Sequence, residues 1–208
     1  MLKGIIFDFD GVIAESLQVK TDAFVALYAS YDKDLVKRVI KHHEANGGMS
    51  RFEKFKYYHE IFLNKSITRK QIRHLDNQFS NLVKKKVISV PYIPGAFEYI
   101  QKCSKKYKLF ISTGTPTEEI NYILEGKNII DYFTDVFGSP SKKIEHLNII
   151  MSKYNMKPNE LLFYGDSSID MEAANYAKIP FILIRNRFNK KLTGMHKGKI
   201  IKNFIGIT

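Results

Sequence analysis

Three carboxylate positions carry the clearest chemistry in this chain. Asp8 and Asp10 follow an apolar run at the amino terminus, MLKGIIFDFDGV; Asp166 follows LLFYG; Asp170 stands four residues further on. Carboxylates gathered at one place repel one another unless they share a cation, and a few carboxylates plus waters form the all-oxygen ligation that suits Mg²⁺. Asp8 also fits a nucleophile, because carboxylate attack on phosphorus gives an acyl phosphate and splits group transfer into two steps. Asp10, two residues on, is placed to give a proton to the leaving oxygen and later to take one from water. Ser112, ending KLFIS, offers a hydroxyl to a phosphoryl oxygen, and a lysine would add positive charge.

Taken singly, each residue has a plainer explanation. A lone Asp after a strand is usually a helix N-cap or turn former. Ser112 and Thr113 suit capping of a helix near Pro116, and Asp166 with Ser167 and Ser168 suits capping of the helix after it. Lys142 and Lys143 stand among many lysines. Those explanations leave the order unaccounted for: acid pair, hydroxyl, lysine, acid pair, each at a strand end.

The elements that must position these residues come in two textures. Leu2–Phe9 reads as a buried strand running into a functional loop. From Ser16 to about Ser89 the chain is Pro-free and almost Gly-free, with apolar stripes at helical spacing. One holds Phe24, Leu27 and Tyr28; another Phe52, Phe55 and Phe62; a third Ile72, Leu75, Phe79 and Val83. Four helices are expected, with Gly47-Gly48 as a break between two of them. After PYIPG (91–95) the texture alternates. Strands are expected at 107–111, 134–137, 161–164 and 181–184, and helices at 116–125, 143–154 and 169–178. This pattern predicts an α/β fold: a Rossmann-like parallel sheet with helices on both faces, residues 1–15 and 91–208 forming the core and 16–90 an inserted α-helical cap domain. Open sheets of this kind bind ligands beyond the carboxyl ends of their strands, where the acids fall.

Composition narrows the function classes. The 208 residues are 44% hydrophobic, enough to bury a core, and carry a net charge of +12. The excess is mostly lysine spread along the chain, without arginine-rich clusters, and reads as solvated surface rather than a nucleic-acid interface. A single cysteine, Cys103, excludes an intrachain disulfide framework and suits a reducing compartment. Asp8 and Asp10 break the first apolar run, so neither a signal peptide nor a membrane span is read there, and a soluble cytoplasmic protein is expected.

DFDGV at 8–12, IST at 111–113, GSPSKK at 138–143 and GDSSIDMEAA at 165–174 resemble, in order, the four signature motifs of the haloacid dehalogenase superfamily. The insertion resembles the helical cap of its phosphoglycolate phosphatase and β-phosphoglucomutase branch. The resemblance implies Asp8 as nucleophile and Mg²⁺ ligand, and Asp10 as general acid/base with its carbonyl on the metal. It implies Ser112, Thr113 and Lys143 as the phosphate-binding set, with Lys142 as the neighbour competing for the lysine role. Asp166 would ligate Mg²⁺, and Asp170 would do so directly, through water or through Lys143. Departures are Glu15 where the branch commonly has Asp, Thr113 where Asn is frequent, and Lys178 in place of a glycine after the last motif.

The implied function is Mg²⁺-dependent hydrolysis of a small phosphorylated metabolite through a phospho-aspartate. Dehalogenases lack an acid like Asp10, because halide leaves without a proton. A hexose phosphomutase would share every core residue, and a phosphonatase would use a cap lysine as a Schiff base. From a different class, a receiver-like phosphoacceptor module fits the acid cluster but has no need of a cap. Specificity is expected from cap side chains, with His42, His43, Arg51, His59 and Lys65 as candidates.

Overall fold

Short β-favouring runs make the sheet and long amphipathic ones make its cover. In the computed structural model, which describes residues 1–207, the chain opens with β1 (Gly4–Phe7), buried over its whole length. Four helices follow before any second strand: α1 (Leu17–Tyr28), α2 (Lys33–Ala45), α3 (Arg51–Tyr57), which runs on as a π-helical turn over Tyr58–Phe62, and α4 (Arg69–Ser89). After them come α5 (Ala96–Ser104), β2 (Lys108–Pro116), α6 (Thr117–Gly126), β3 (Asp135–Ser139), α7 (Lys143–Lys153) and β4 (Leu161–Gly165). The chain closes with α8 (Ser168–Ala177), β5 (Phe181–Ile184), α9 (Lys190–Met195) and β6 (Lys199–Ile201).

The six strands among the described residues are all parallel, in the order β3-β2-β1-β4-β5-β6. The fold is α/β and of Rossmann type. β1 lies between β2 and β4, with Phe7 opposite both Ile111 and Tyr164. Asp8 and Ser112 come directly after this row and Asp166 one residue further on, so the three gather on the carboxyl side of the sheet. Strand alternation sends Ile5 and Phe7 into one hydrophobic core and Ile6 into the other. The second core is closed by Leu147 and Ile150 of α7 and by Ala173, Ala174 and Ala177 of α8. Cys103 is buried on α5 in the first core.

Helices α1–α4 add no strand. They pack on an aromatic cluster in which Phe24 lies 4.7 Å from Phe79 and 5.9 Å from Phe55, ring to ring. Burying each such ring contributes on the order of 2 kcal/mol, which offsets the ordering of helices that are mostly charged outside. Their starts are fixed by side-chain caps: Asp32 on α2, Ser50 on α3, and a Thr68–Gln71 capping box on α4. The expected break at Gly47-Gly48 is present, and Gly48 has φ +78°. A Cβ on Gly114 would stand 2.7 Å from the Gly48 carbonyl oxygen, so these two loops meet backbone to backbone.

Two features differ from the sequence expectation. β2 runs past Ser112 to Pro116, with a register irregularity against β3, because β-branched Thr113 and Thr115 continue the extended run around Gly114. The six-residue α9 and three-residue β6 were not expected, since segments that short show no periodicity.

Candidate active site

β1 ends by delivering Asp8 into a place where almost no water reaches. Its Oδ1 accepts from the Phe9 backbone N–H at 2.7 Å, and its Oδ2 lies 2.8 Å from Lys143 Nζ. Lys143, at the first turn of α7, also pairs with Asp170 Oδ1. Lys142 is exposed, so Lys143 is the lysine that reaches the acids. Asp166 leaves β4 beside them, its Oδ2 accepting from Asn186 Nδ2 at 2.7 Å. One oxygen from each of Asp8, Asp166 and Asp170 lies within 4.8 Å of the others.

Such crowding has an electrostatic cost. Burial, with repulsion from Asp170 and Asp10, pushes the Asp8 carboxyl up to about 7 although Lys143 pulls the other way. Burial and the charges of Asp8 and Asp170 push Asp166 well above the carboxylate range. Lys143 goes upward despite burial, because Asp170 and Asp8 hold its proton. Buried all-oxygen donors that resist ionising together are what a hard divalent cation would relieve, and the residues fit one. Asp170 is less free than the other two. Its Oδ2 accepts from Ser167 Oγ at 2.6 Å and from the Ser167 and Asp166 backbone N–H groups, while Lys143 takes Oδ1.

Asp10 sits in a different circuit. Lys20 Nζ lies 3.1 Å from its Oδ2, Thr115 Oγ1 donates to Oδ2 at 3.0 Å, and Ser16 Oγ donates to Oδ1. Burial raises its pKa, but Lys20 and these hydrogen bonds win and hold it low. Ser112 is fully buried, with Oγ 3.0 Å from His146 Nδ1, and Thr113 Oγ1 accepts from the Thr115 backbone N–H. Thr113, but not Ser112, lines the cavity beyond the strand ends. Burial and Lys143 pull His146 down to about 4, so the ring is neutral, and its Nε2 finds no partner among the described residues.

That cavity is about 510 Å³, floored by Asp8, Asp10 and Asp166 and walled by α1, α3, the 43–49 segment and Phe79 of α4. Of the residues singled out in the helical segment, His43 and Arg51 line it. His42 instead stacks on Tyr57 at 4.2 Å, His59 packs near Tyr28, and Lys65 is exposed. Arg51 is already engaged, in a bidentate pair with Glu119 and a further pair with Asp76. Sequence reasoning missed Ser16, Lys20, Lys54, Thr115, Glu119, Asn186 and Asn189. The signal for Lys20 was its spacing, one helical turn after Ser16, directly beyond the first acidic loop. Lys54 lies three residues after Arg51 on one helical face, and nothing else distinguishes it from other lysines.

Comparison with known proteins agrees with this geometry. The family model described as Haloacid dehalogenase-like hydrolase matches residues 5–184. A phosphorylated carbohydrates phosphatase of Thermotoga maritima is 26% identical over 187 residues, 86% of this chain and 82% of its own. A phosphoglycolate phosphatase of Pasteurella multocida is 26% identical over 186 residues, 82% of this chain and 80% of its own. In fold, a β-phosphoglucomutase structure from Clostridium difficile superposes with a TM-score of 0.79 at 20% identity, over 100% of this chain and 94% of that one. With motif order, sheet topology and family match in accord, the chain belongs to the haloacid dehalogenase-like hydrolases.

Proposed function

We propose that this hydrolase is a Mg²⁺-dependent phosphatase of a small phosphorylated metabolite, working through a phospho-aspartate on Asp8. The observation that carries the reading is the buried Asp8–Lys143–Asp170 arrangement beside Asp166, opening on a cavity that also holds Asp10. The names of the two curated relatives, a phosphatase of phosphorylated carbohydrates and one of phosphoglycolate, support a small phosphorylated substrate.

Asp8 and Asp166, with the Asp10 backbone carbonyl, would hold the cation, which when bound offsets the charge of the carboxylates and of the phosphoryl oxygens. Asp170 serves by fixing Lys143 and the loop at 166–167, since both its oxygens are occupied. In the first half of the reaction an Asp8 oxygen bonds to phosphorus, the ester P–O bond breaks, and the leaving oxygen takes a proton from Asp10. The incoming phosphate dianion raises Asp10 toward the protonated form this requires. In the second half Asp10 takes a proton from water as that water attacks phosphorus, releasing phosphate and restoring Asp8. Ser112, Thr113 and Lys143 bind the phosphoryl oxygens, Ser112 after turning from His146. Residues 1–15 and 91–208 act as the catalytic core, and 16–90 as a cap that excludes water and selects substrate.

The test has two parts. Hydrolysis of an aryl phosphate is expected with Mg²⁺ and is lost on chelation; full activity in excess EDTA sinks the metal assignment. Rapid quench with labelled substrate is expected to leave label on Asp8, with phosphate released in step with substrate loss. Label on another residue refutes the nucleophile, and isomerisation of a sugar phosphate faster than phosphate release refutes hydrolysis.

A further inference from the structure

Among the buried charged side chains in and beside the cavity, nearly every one has a partner; Glu44, Glu172 and Lys191 also line it but are exposed or half-buried. Asp8 meets Lys143, Asp10 meets Lys20, and Glu119 meets Arg51 with Lys20 4.0 Å away. Lys54 does not. It is only 3% exposed, lines the cavity, and directs Nζ to His43, 2.9 Å from Nδ1 and 3.5 Å from the carbonyl oxygen. It makes no ion pair with a carboxylate among the described residues. The Phe24 ring, 5.7 Å from Nζ, contributes a weak aromatic contact that does not replace an anion. A buried cation without a counter-charge is costly, and burial with repulsion from Lys20 pulls the Lys54 ammonium down to about 7.

His43 adds to the same place. Its ring packs 4.6 Å from Phe24, and burial together with Lys54 and Lys20 holds it well below the usual histidine value. A neutral ring whose Nδ1 accepts from Lys54 carries its proton on Nε2, which gives a second donor beside the ammonium. The helical wall thus presents two donors and a surplus positive charge opposite the acidic floor.

We propose that Lys54 and His43 form a receptor for a second anionic group of the substrate. The enzyme then acts on phosphomonoesters that carry a carboxylate or a further phosphate at the end remote from the scissile bond. This rests on the phosphatase reading only in seating the phosphoryl end at Asp8. Arg51 is less available for the same role, because Glu119, Asp76 and Ser80 already take four of its five N–H donors and both acids offset its charge.

Binding separates the two ideas. In full-length Asp8→Asn protein with Mg²⁺, calorimetry compares ethyl phosphate, 2-phosphoglycolate and ethane-1,2-diol bisphosphate. At least one of the two doubly anionic probes is expected to bind about 10-fold or more tightly than ethyl phosphate, and which one does identifies the second group. Adding Lys54→Met removes that difference, and Lys54→Arg keeps part of it. Equal binding of all three probes overturns the receptor, as does a Lys54→Met variant that weakens all three alike. If Lys54→Met does not fold, the three-probe comparison with Lys54 in place still decides. Failure of the phosphatase reading looks different: no aryl phosphate hydrolysis by the unsubstituted protein, with selective binding of the doubly charged probe retained.

Discussion

The two walls of the cavity are built on opposite principles. The floor at the sheet ends is crowded with acids, each tied to a lysine, an amide or a backbone N–H, so its geometry is fixed before any ligand arrives. The helical wall is an aromatic packing surface with a cation at its inner edge that pairs with no acid among the described residues. On the function proposed above, the floor serves the reaction and the wall the recognition of its substrate. Chemistry of this kind depends on strand ends, whose positions the sheet register dictates. Recognition can be hung on any helix face turned inward.

The largest effect that tests this contrast lies on the floor. Asp8→Asn keeps shape and hydrogen bonding but removes the nucleophilic charge, and kcat is expected to fall by about 10⁴-fold or more with the fold intact by circular dichroism. Near-normal turnover would move the chemistry off the floor. On the wall, Phe24→Ala empties the centre of the aromatic cluster and is expected to cost about 3–5 kcal/mol in denaturant unfolding. A cost under about 1 kcal/mol would show that the helices do not depend on that cluster.

Behind the floor, His146 makes a pH-dependent prediction. Its folded pKa of about 4 lies below the ordinary histidine value of 6.5, so between these limits the unfolded chain binds more protons than the folded one. Its contribution is present above about 6.5 and is lost as pH falls toward 4, on the order of 3 kcal/mol for this group. His146→Phe is expected to flatten that acid limb in unfolding measured across pH 4–7; an unchanged limb assigns it elsewhere. The smallest effect lies outside both walls. Lys178 ends α8 with φ +57°, a left-handed conformation that glycine adopts freely, and Lys178→Gly is expected to stabilise by about 1 kcal/mol or less. Destabilisation would mean that the Lys178 side chain contributes more than its backbone strain costs.

The same contrast explains what the sequence made legible. Asp8, Asp10 and Asp166 could be placed because short apolar strands end in them, and a parallel sheet gathers such ends whatever the helices do. Lys143 was preferred to Lys142 on the resemblance of its motif, and the first turn of α7 buries Lys143 and exposes Lys142. Lys20 and Lys54 were not singled out. Helical periodicity tells which residues share a face but not what that face will meet, and both stand in a chain rich in lysine. His43 and Arg51 were candidates beside His42, His59 and Lys65 on equal terms, and only packing divided them. The β2 extension through Thr115 was missed for a related reason. The strand was expected to end at residue 111, and nothing in the sequence showed that the absence of a side chain at Gly114 lets the Gly48 carbonyl approach.

The burial of Cys103 has a practical sequel. Burial raises its thiol pKa, and thiolate is the form that reacts, so slow labelling by maleimide and iodoacetamide dyes is expected. Cysteines placed at exposed Ile61, on the helical wall, and at exposed Tyr176, on α8 of the sheet, would then be the two sites that label readily. Energy transfer between dyes at those positions would report, in real time and without removing the native thiol, whether the wall swings away from the floor during turnover.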